Sequence, residues 1–200
     1  ETDLITFLDN IDENFTFLFV GHWLQGEFGQ DRKNVGQTIK VFLETFKNKH
    51  NAPALILKTA VHNGSIMDHT EVLNKINSIK STVKAKKLPN IYLIHGELEE
   101  EDMNHLYNHP KVKAMVNFTK GEGFGRPLLE FSLTKKPIIT TNWSGHKDFL
   151  DEKFTTMLPG VMANVHPSAA NQWLVQDAKW FTPDPGQVGF YMKDMFENYK

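Results

Sequence analysis

The chain has 200 residues, 40% of them hydrophobic and 12% aromatic, with no cysteine and a formal charge of −2. That size and apolar content suit one domain, residues 1–200, built around a substantial core. The charge argues against a nucleic-acid binder driven by overall charge, and the missing cysteines exclude disulfides and thiolate metal sites.

Taken in order, a short helix is predicted over Leu4–Leu8. Phe15-Thr16-Phe17-Leu18-Phe19-Val20 reads as a strand ended by Gly21. After a polar loop to Lys33, Ile39, Phe42, Leu43 and Phe46 fall at i, i+3, i+4, i+7, the period of a helix. Ala54–Thr59 is the second strand, followed by a loop with an Asn63-Gly64 turn. Val72, Leu73, Ile76 and Ile79 mark a helix ending near Lys87. Ile91–His95 is the third strand, stopped by Gly96, and Glu99–Asn108 a helix.

The fourth strand is Ala114–Phe118, with a helix from Pro127 to Leu133 behind it, Pro127 at its first position. Pro137–Thr141 is the fifth strand, and Lys147–Leu150 a short helix. Residues 153–168 read as irregular, and Ser168 as the cap of a helix carrying Trp173, Leu174 and Trp180. Val188, Tyr191, Met192, Met195, Phe196 and Tyr199 lie on one face of a last helix. Apolar strands alternating with helices predict an α/β class fold: a Rossmann-like parallel sheet covered on both faces, binding its ligand at the C-terminal ends of the strands.

The chemistry concentrates between the fourth strand and its helix, in Gly121-Glu122-Gly123-Phe124-Gly125-Arg126-Pro127. Alternating glycines let a ligand approach the backbone, and a helix start offers unpaired amides and a favourable dipole to anions. Glu122 and Glu130 are unexpected beside an anion, because a carboxylate repels phosphate. Both are accounted for if the ligand also carries hydroxyls, as a nucleotide sugar does.

The string Glu-Gly-Phe-Gly-x-Pro-x-x-Glu, from Glu122 to Glu130, resembles the E-x7-E signature of the retaining group 1 glycosyltransferases, enzymes of the two-domain GT-B fold. Lys136-Pro137-Ile138-Ile139-Thr140-Thr141 and Ser144-Gly145 resemble the strand that follows it, and the likeness runs from Phe17 to the last helix. The resemblance implies a donor-binding C-terminal domain for a nucleoside-diphosphate sugar, with no metal and no further cofactor. Glu122 would meet hexose hydroxyls and Glu130 ribose hydroxyls. The amides of Gly123, Phe124 and Gly125, with Arg126 beside them, would serve hexose and distal phosphate. Lys33 matches the family's phosphate-binding lysine. The family's arginine after the Gly21 position is replaced by His22, a loss of permanent positive charge for which Arg32 would compensate. Gly96 sits where the family holds the base through backbone groups. Transfer would retain the anomeric configuration, with Lys33 and the helix-start amides stabilising the leaving diphosphate. The N-terminal acceptor domain of the GT-B pair is absent, so the chain alone should transfer weakly or not at all.

Several residues carry two readings. Lys58, ending a buried strand, faces the crevice or snorkels to solvent. His95 reads as a satisfied structural histidine, and Phe124 as a ligand contact or a core aromatic. The Gly-x-Gly-x-Gly spacing fails the dinucleotide fingerprint, and no P-loop is present. His105 and His109 are spaced for a metal but lack further ligands, so a solvated face is favoured. The basic stretch Lys75–Lys87 reads likewise, with peripheral membrane contact of the full-length enzyme the lesser alternative. No leader and no run of roughly 20 apolar residues occur, and a cytoplasmic location is expected. The start at Glu1 without methionine suits a fragment. A stand-alone nucleotide-sugar-binding or regulatory module is the alternative function. A nucleotide-sugar epimerase of the same overall fold is disfavoured by the Glu-Gly-Phe-Gly string.

Overall fold

A computed structural model of the chain describes residues 3–62, 64–175 and 177–199, so Asn63 of the predicted turn lies outside the described residues. Six strands form one sheet: β1 (Thr16–Val20), β2 (Ala54–Thr59), β3 (Ile91–His95), β4 (Val112–Asn117), β5 (Ile138–Thr141) and β6 (Thr156–Leu158). Their order is β3-β2-β1-β4-β5-β6, and every neighbouring pair is parallel. The order reverses between β1 and β4, so a crevice opens at the C-terminal ends of those strands.

Side chains alternate across the sheet, and both faces are apolar because both are covered. Phe17, Phe19, Leu55, Leu57 and Val116 point to one side and pack on α2 (Val35–Phe46), α3 (Ile66–Ser81) and α6 (Pro185–Glu197). Leu18, Val20, Ile56 and Met115 point to the other, against α1 (Leu4–Asp9), α4 (Glu100–Asn108) and α5 (Arg126–Ser132). The predicted apolar stripe of α2 is the best-buried helix face: Ile39, Phe42 and Leu43 are fully buried. No helix among the described residues is long and apolar enough to cross a membrane.

Three expectations fail. The segment read as irregular contains β6, too short to show a period, and β7 (Gly160–Asn164). The helix expected after Ser168 is absent; a 3-10 turn over Pro167–Ala169 is followed by β8 (Lys179–Pro183), which pairs antiparallel with β7. Tertiary contacts override the helical spacing of the tryptophans. Trp180 covers the ammonium of Lys120, 4.7 Å from its ring centroid, and Phe181 stacks on Trp143, while Trp173 stays 86% exposed. Helix α3 stops at Ser81 rather than near Lys87. The Asn48 side chain accepts from the amides of Lys86 and Lys87 and holds that stretch in a turn.

Candidate functional site

The loop after β4 enters α5 through Gly125, whose φ of +88° belongs to the left-handed region where glycine is the natural occupant. Helix α5 begins at Arg126, so Pro127 is its second residue rather than its first. A Cβ added to Gly121 or Gly123 would meet nothing within 4 Å, so this stretch is open to an incoming group. The amides of Gly123, Phe124 and Gly125 donate to no acceptor among the described residues. Phe124 is 54% exposed, its ring against Phe149, which removes the core-aromatic reading.

Glu122 is buried, and Lys33 is why that burial is tolerable. The Lys33 ammonium donates to Glu122 Oε1 at 2.5 Å, and the two side chains are only 12% and 6% exposed. Arg32 joins them, donating from its guanidinium to the Gly121 carbonyl and lying 3.7 Å from Glu122 Oε2. Residues 32, 33 and 122 therefore form one cationic cluster around a single carboxylate. Burial pulls the Lys33 pKa down, and the Glu122 charge opposes that pull.

Glu130 lies one turn into α5 and faces a cleft of about 780 Å³. Val20, His22, Lys58, Glu97, Tyr107 and Arg126 are among its other lining residues. Lys58 thus faces the crevice, half-buried; desolvation lowers its pKa and the charge of Glu97 opposes this. Each oxygen of Glu130 accepts one hydrogen bond: Oε1 from Arg126 Nε at 2.5 Å and Oε2 from the Tyr107 hydroxyl at 3.1 Å. Gly21 donates its amide to the Lys58 carbonyl, and Gly96, with φ +85°, sits against Gly64 beside the cleft residue Glu97.

Several supporting residues were given no role in the sequence reading. Ser144 receives the Glu122 amide at 3.0 Å and donates to its carbonyl at 2.6 Å, and the Gly145 amide donates to that same carbonyl. A Cβ on Gly145 would lie 2.1 Å from the Gly123 oxygen, so only glycine fits. Lys120 is 2% exposed; its ammonium donates to the Gly29 carbonyl at 2.5 Å, and its amide donates to the Arg32 carbonyl at 2.8 Å. Desolvation raises the pKa of the nearby buried Asp31, whose carboxylate accepts from the first amide of α2, at Val35. These contacts fasten the loop bearing Arg32 and Lys33 to the glycine loop. His146 is fully buried and donates through Nε2 to the Thr141 carbonyl, and burial lowers its pKa.

Other candidates resolve as structural. His95 lies 2.7 Å from Asp68, as a satisfied histidine should. The cluster His62, Asp68 and Glu71 brings three ligand atoms within 4.8 Å of one another. Its only buried member, Asp68, already accepts from the amides of Val61 and His62 besides His95. His109 pairs with Asp9 rather than with His105.

By sequence, no protein-family model and no curated protein matches. Solved structures do. The C-terminal domain of a group 1 family glycosyl transferase, LpcC of Francisella tularensis, superposes with a TM-score of 0.58 at 12% identity, over 95% of this chain and 79% of that one. HepE of Anabaena, solved with UDP and glucose, gives 0.55 at 13%, over 93% of this chain and 40% of its own. The lipopolysaccharide outer core galactosyltransferase WaaB gives 0.53 at 15%, over 94% and 42%. The chain thus spans about two fifths of these two longer proteins and most of the isolated domain. It has the Rossmann-like fold of the C-terminal domain of GT-B glycosyltransferases.

Proposed function

We propose that this domain binds a nucleoside-diphosphate sugar as the donor half of a retaining glycosyltransferase that passes a hexose to a glycan or other acceptor. One observation carries the reading. At the point where the strand order reverses, three amides with no acceptor among the described residues lie between two glutamates of a Glu-Gly-Phe-Gly-x-Pro-x-x-Glu string, one of these glutamates facing an open cleft. The amides suit phosphate and hexose oxygens, the cleft suits ribose and base, and Glu130 is an acceptor for ribose hydroxyls. Breaking the sugar–phosphate bond builds negative charge on the diphosphate. Lys33, Arg32 and the loop amides, already fixed in place, would stabilise that charge in the transition state. The ammonium of Lys33 has three donors and gives one to Glu122, so phosphate oxygens can share it. The acceptor side belongs to an N-terminal domain, and the chain alone would bind donor with little transfer.

The test is calorimetric titration with UDP, GDP, ADP and their sugars, on the wild type and on Glu130→Ala and Lys33→Met, each checked for folding by circular dichroism. The expected result is saturable binding, weakened about tenfold by either substitution, the scale of one hydrogen bond to a charged group. Equal affinity in all three proteins would remove this site assignment.

A further inference from the structure

Tyr107 is a buried residue whose hydroxyl touches Glu130 in the proposed donor cleft, and the reading above gives it no role. It lies in the last turn of α4, a different element from the glycine loop and α5. It is 4% exposed, and its ring packs edge-on against Phe131 with centroids 5.8 Å apart. Its hydroxyl donates to Glu130 Oε2 at 3.1 Å. The Tyr107 carbonyl is fixed as well, accepting from the ammonium of Lys136 at 2.8 Å. Both ends of the residue are therefore tied down.

The other donor to Glu130 differs in kind. Arg126 holds Oε1, but its side chain is 71% exposed and shares its charge with the still more exposed Glu100. A solvated guanidinium on a flexible stem fixes little, because water competes for it and its rotamers stay available. The tyrosine is a rigid ring in a packed interior, so its hydroxyl sets the rotamer of the carboxylate. With one donor on each oxygen, Glu130 keeps free lone pairs on both, and those are the positions a vicinal diol occupies.

Resting on the donor-site reading above, we propose that Tyr107 is a positioning residue for recognition of the ribose: it locks the Glu130 carboxylate in the orientation that accepts the ribose hydroxyls. The consequence is a selectivity for ribose over sugars lacking those hydroxyls that depends on the Tyr107 hydroxyl acting through the Glu130 carboxylate. Without the tyrosine hydroxyl the carboxylate is still present, but it must give up rotameric freedom when ligand binds, and the ribose-specific part of the affinity falls.

The experiment compares calorimetric affinities for UDP, GDP and ADP with those for their 2′,3′-dideoxy counterparts, in the wild type, Tyr107→Phe and Glu130→Gln. Phenylalanine keeps the ring and its contact with Phe131, so folding is preserved and is checked by thermal melting. The wild type should prefer the ribonucleotide. Tyr107→Phe should weaken ribonucleotide binding about tenfold, the scale of a hydrogen bond to a charged group, and change dideoxynucleotide binding less than twofold. Glu130→Gln should also narrow the preference. An equal loss for both ligand types in Tyr107→Phe would show a merely structural residue, and an unchanged ribose preference would show no role at all; either overturns the proposal while leaving the nucleotide site standing. Binding of none of the nucleotides by the wild type would overturn the donor-site reading and this proposal together.

Discussion

Glu122 and Glu130 belong to one short string, yet the fold gives them different surroundings. Glu122 is sealed: 6% of its side chain is exposed, Lys33 sits on one oxygen, and Ser144 and Gly145 hold its backbone. Glu130 is 32% exposed, faces a cleft of about 780 Å³, and has one solvated and one buried donor. The first is part of a rigid electrostatic frame, and the second is presented to whatever enters. The contrast arises from the helix between them. Gly125 turns the chain left-handedly into α5, which carries Glu130 away from the cationic cluster and beside α4.

If that contrast holds, substitutions at the sealed end should cost stability and those at the open end should cost little. The largest effect is expected for Gly145→Ala, whose Cβ would stand 2.1 Å from the Gly123 oxygen and 2.8 Å from its carbonyl carbon. Neither atom can yield without moving the glycine loop, and a loss above about 4 kcal/mol in urea unfolding is expected, in the range reserved for a named steric failure. Next comes Lys33→Met, which leaves the buried Glu122 carboxylate with the more distant Arg32 guanidinium, 3.7 Å from Oε2, and should cost about 3 kcal/mol. Lys33→Met combined with Glu122→Leu should recover most of that loss, because no buried carboxylate then loses its partner and the part-exposed Arg32 keeps its bond to the Gly121 carbonyl. If the double variant is as unstable as the single one, the pair is not what defines the sealed end.

At the open end, Glu130→Ala removes the acceptor of the hydroxyl of Tyr107, itself a cleft-lining residue, and should cost about 1 kcal/mol. Arg126→Ala should leave the melting temperature unchanged within error, since its ion pairs are solvated. A large destabilisation by either would erase the distinction between the two ends.

Much of this frame could be read from the residues alone. The periods of Ile39, Phe42, Leu43 and Phe46 announced α2, and the apolar runs announced the parallel strands, because a sheet covered on both faces has no polar side to confuse the pattern. The alternating glycines and their two glutamates marked the region proposed as the site. What stayed hidden depends on contacts between distant segments. Nothing local tells that Gly145 must be glycine, because the atom it would strike belongs to Gly123. Lys120 reads as a surface lysine until Trp180 and the Gly29 carbonyl enclose it. The same enclosure puts Trp180 in a strand although its spacing suggested a helix. Glu122 read as a ligand contact gave no sign of how deeply Lys33 and Arg32 would bury it. Tyr107 could not be singled out from sequence, since it meets Glu130 only once α4 and α5 lie side by side.

The most direct test of the central claim, that the unpaired amides between the two glutamates receive the diphosphate, is an amide-resolved NMR titration of the 15N-labelled chain with a nucleoside diphosphate. The amides of Gly123, Phe124 and Gly125 should show the largest shifts, with residues around Tyr107 and Glu130 following at the same apparent affinity. If binding saturates while those three amides stay unmoved, and the shifts gather instead at the cleft on the opposite end of the sheet lined by Glu13, His50 and Asn90, the account is contradicted.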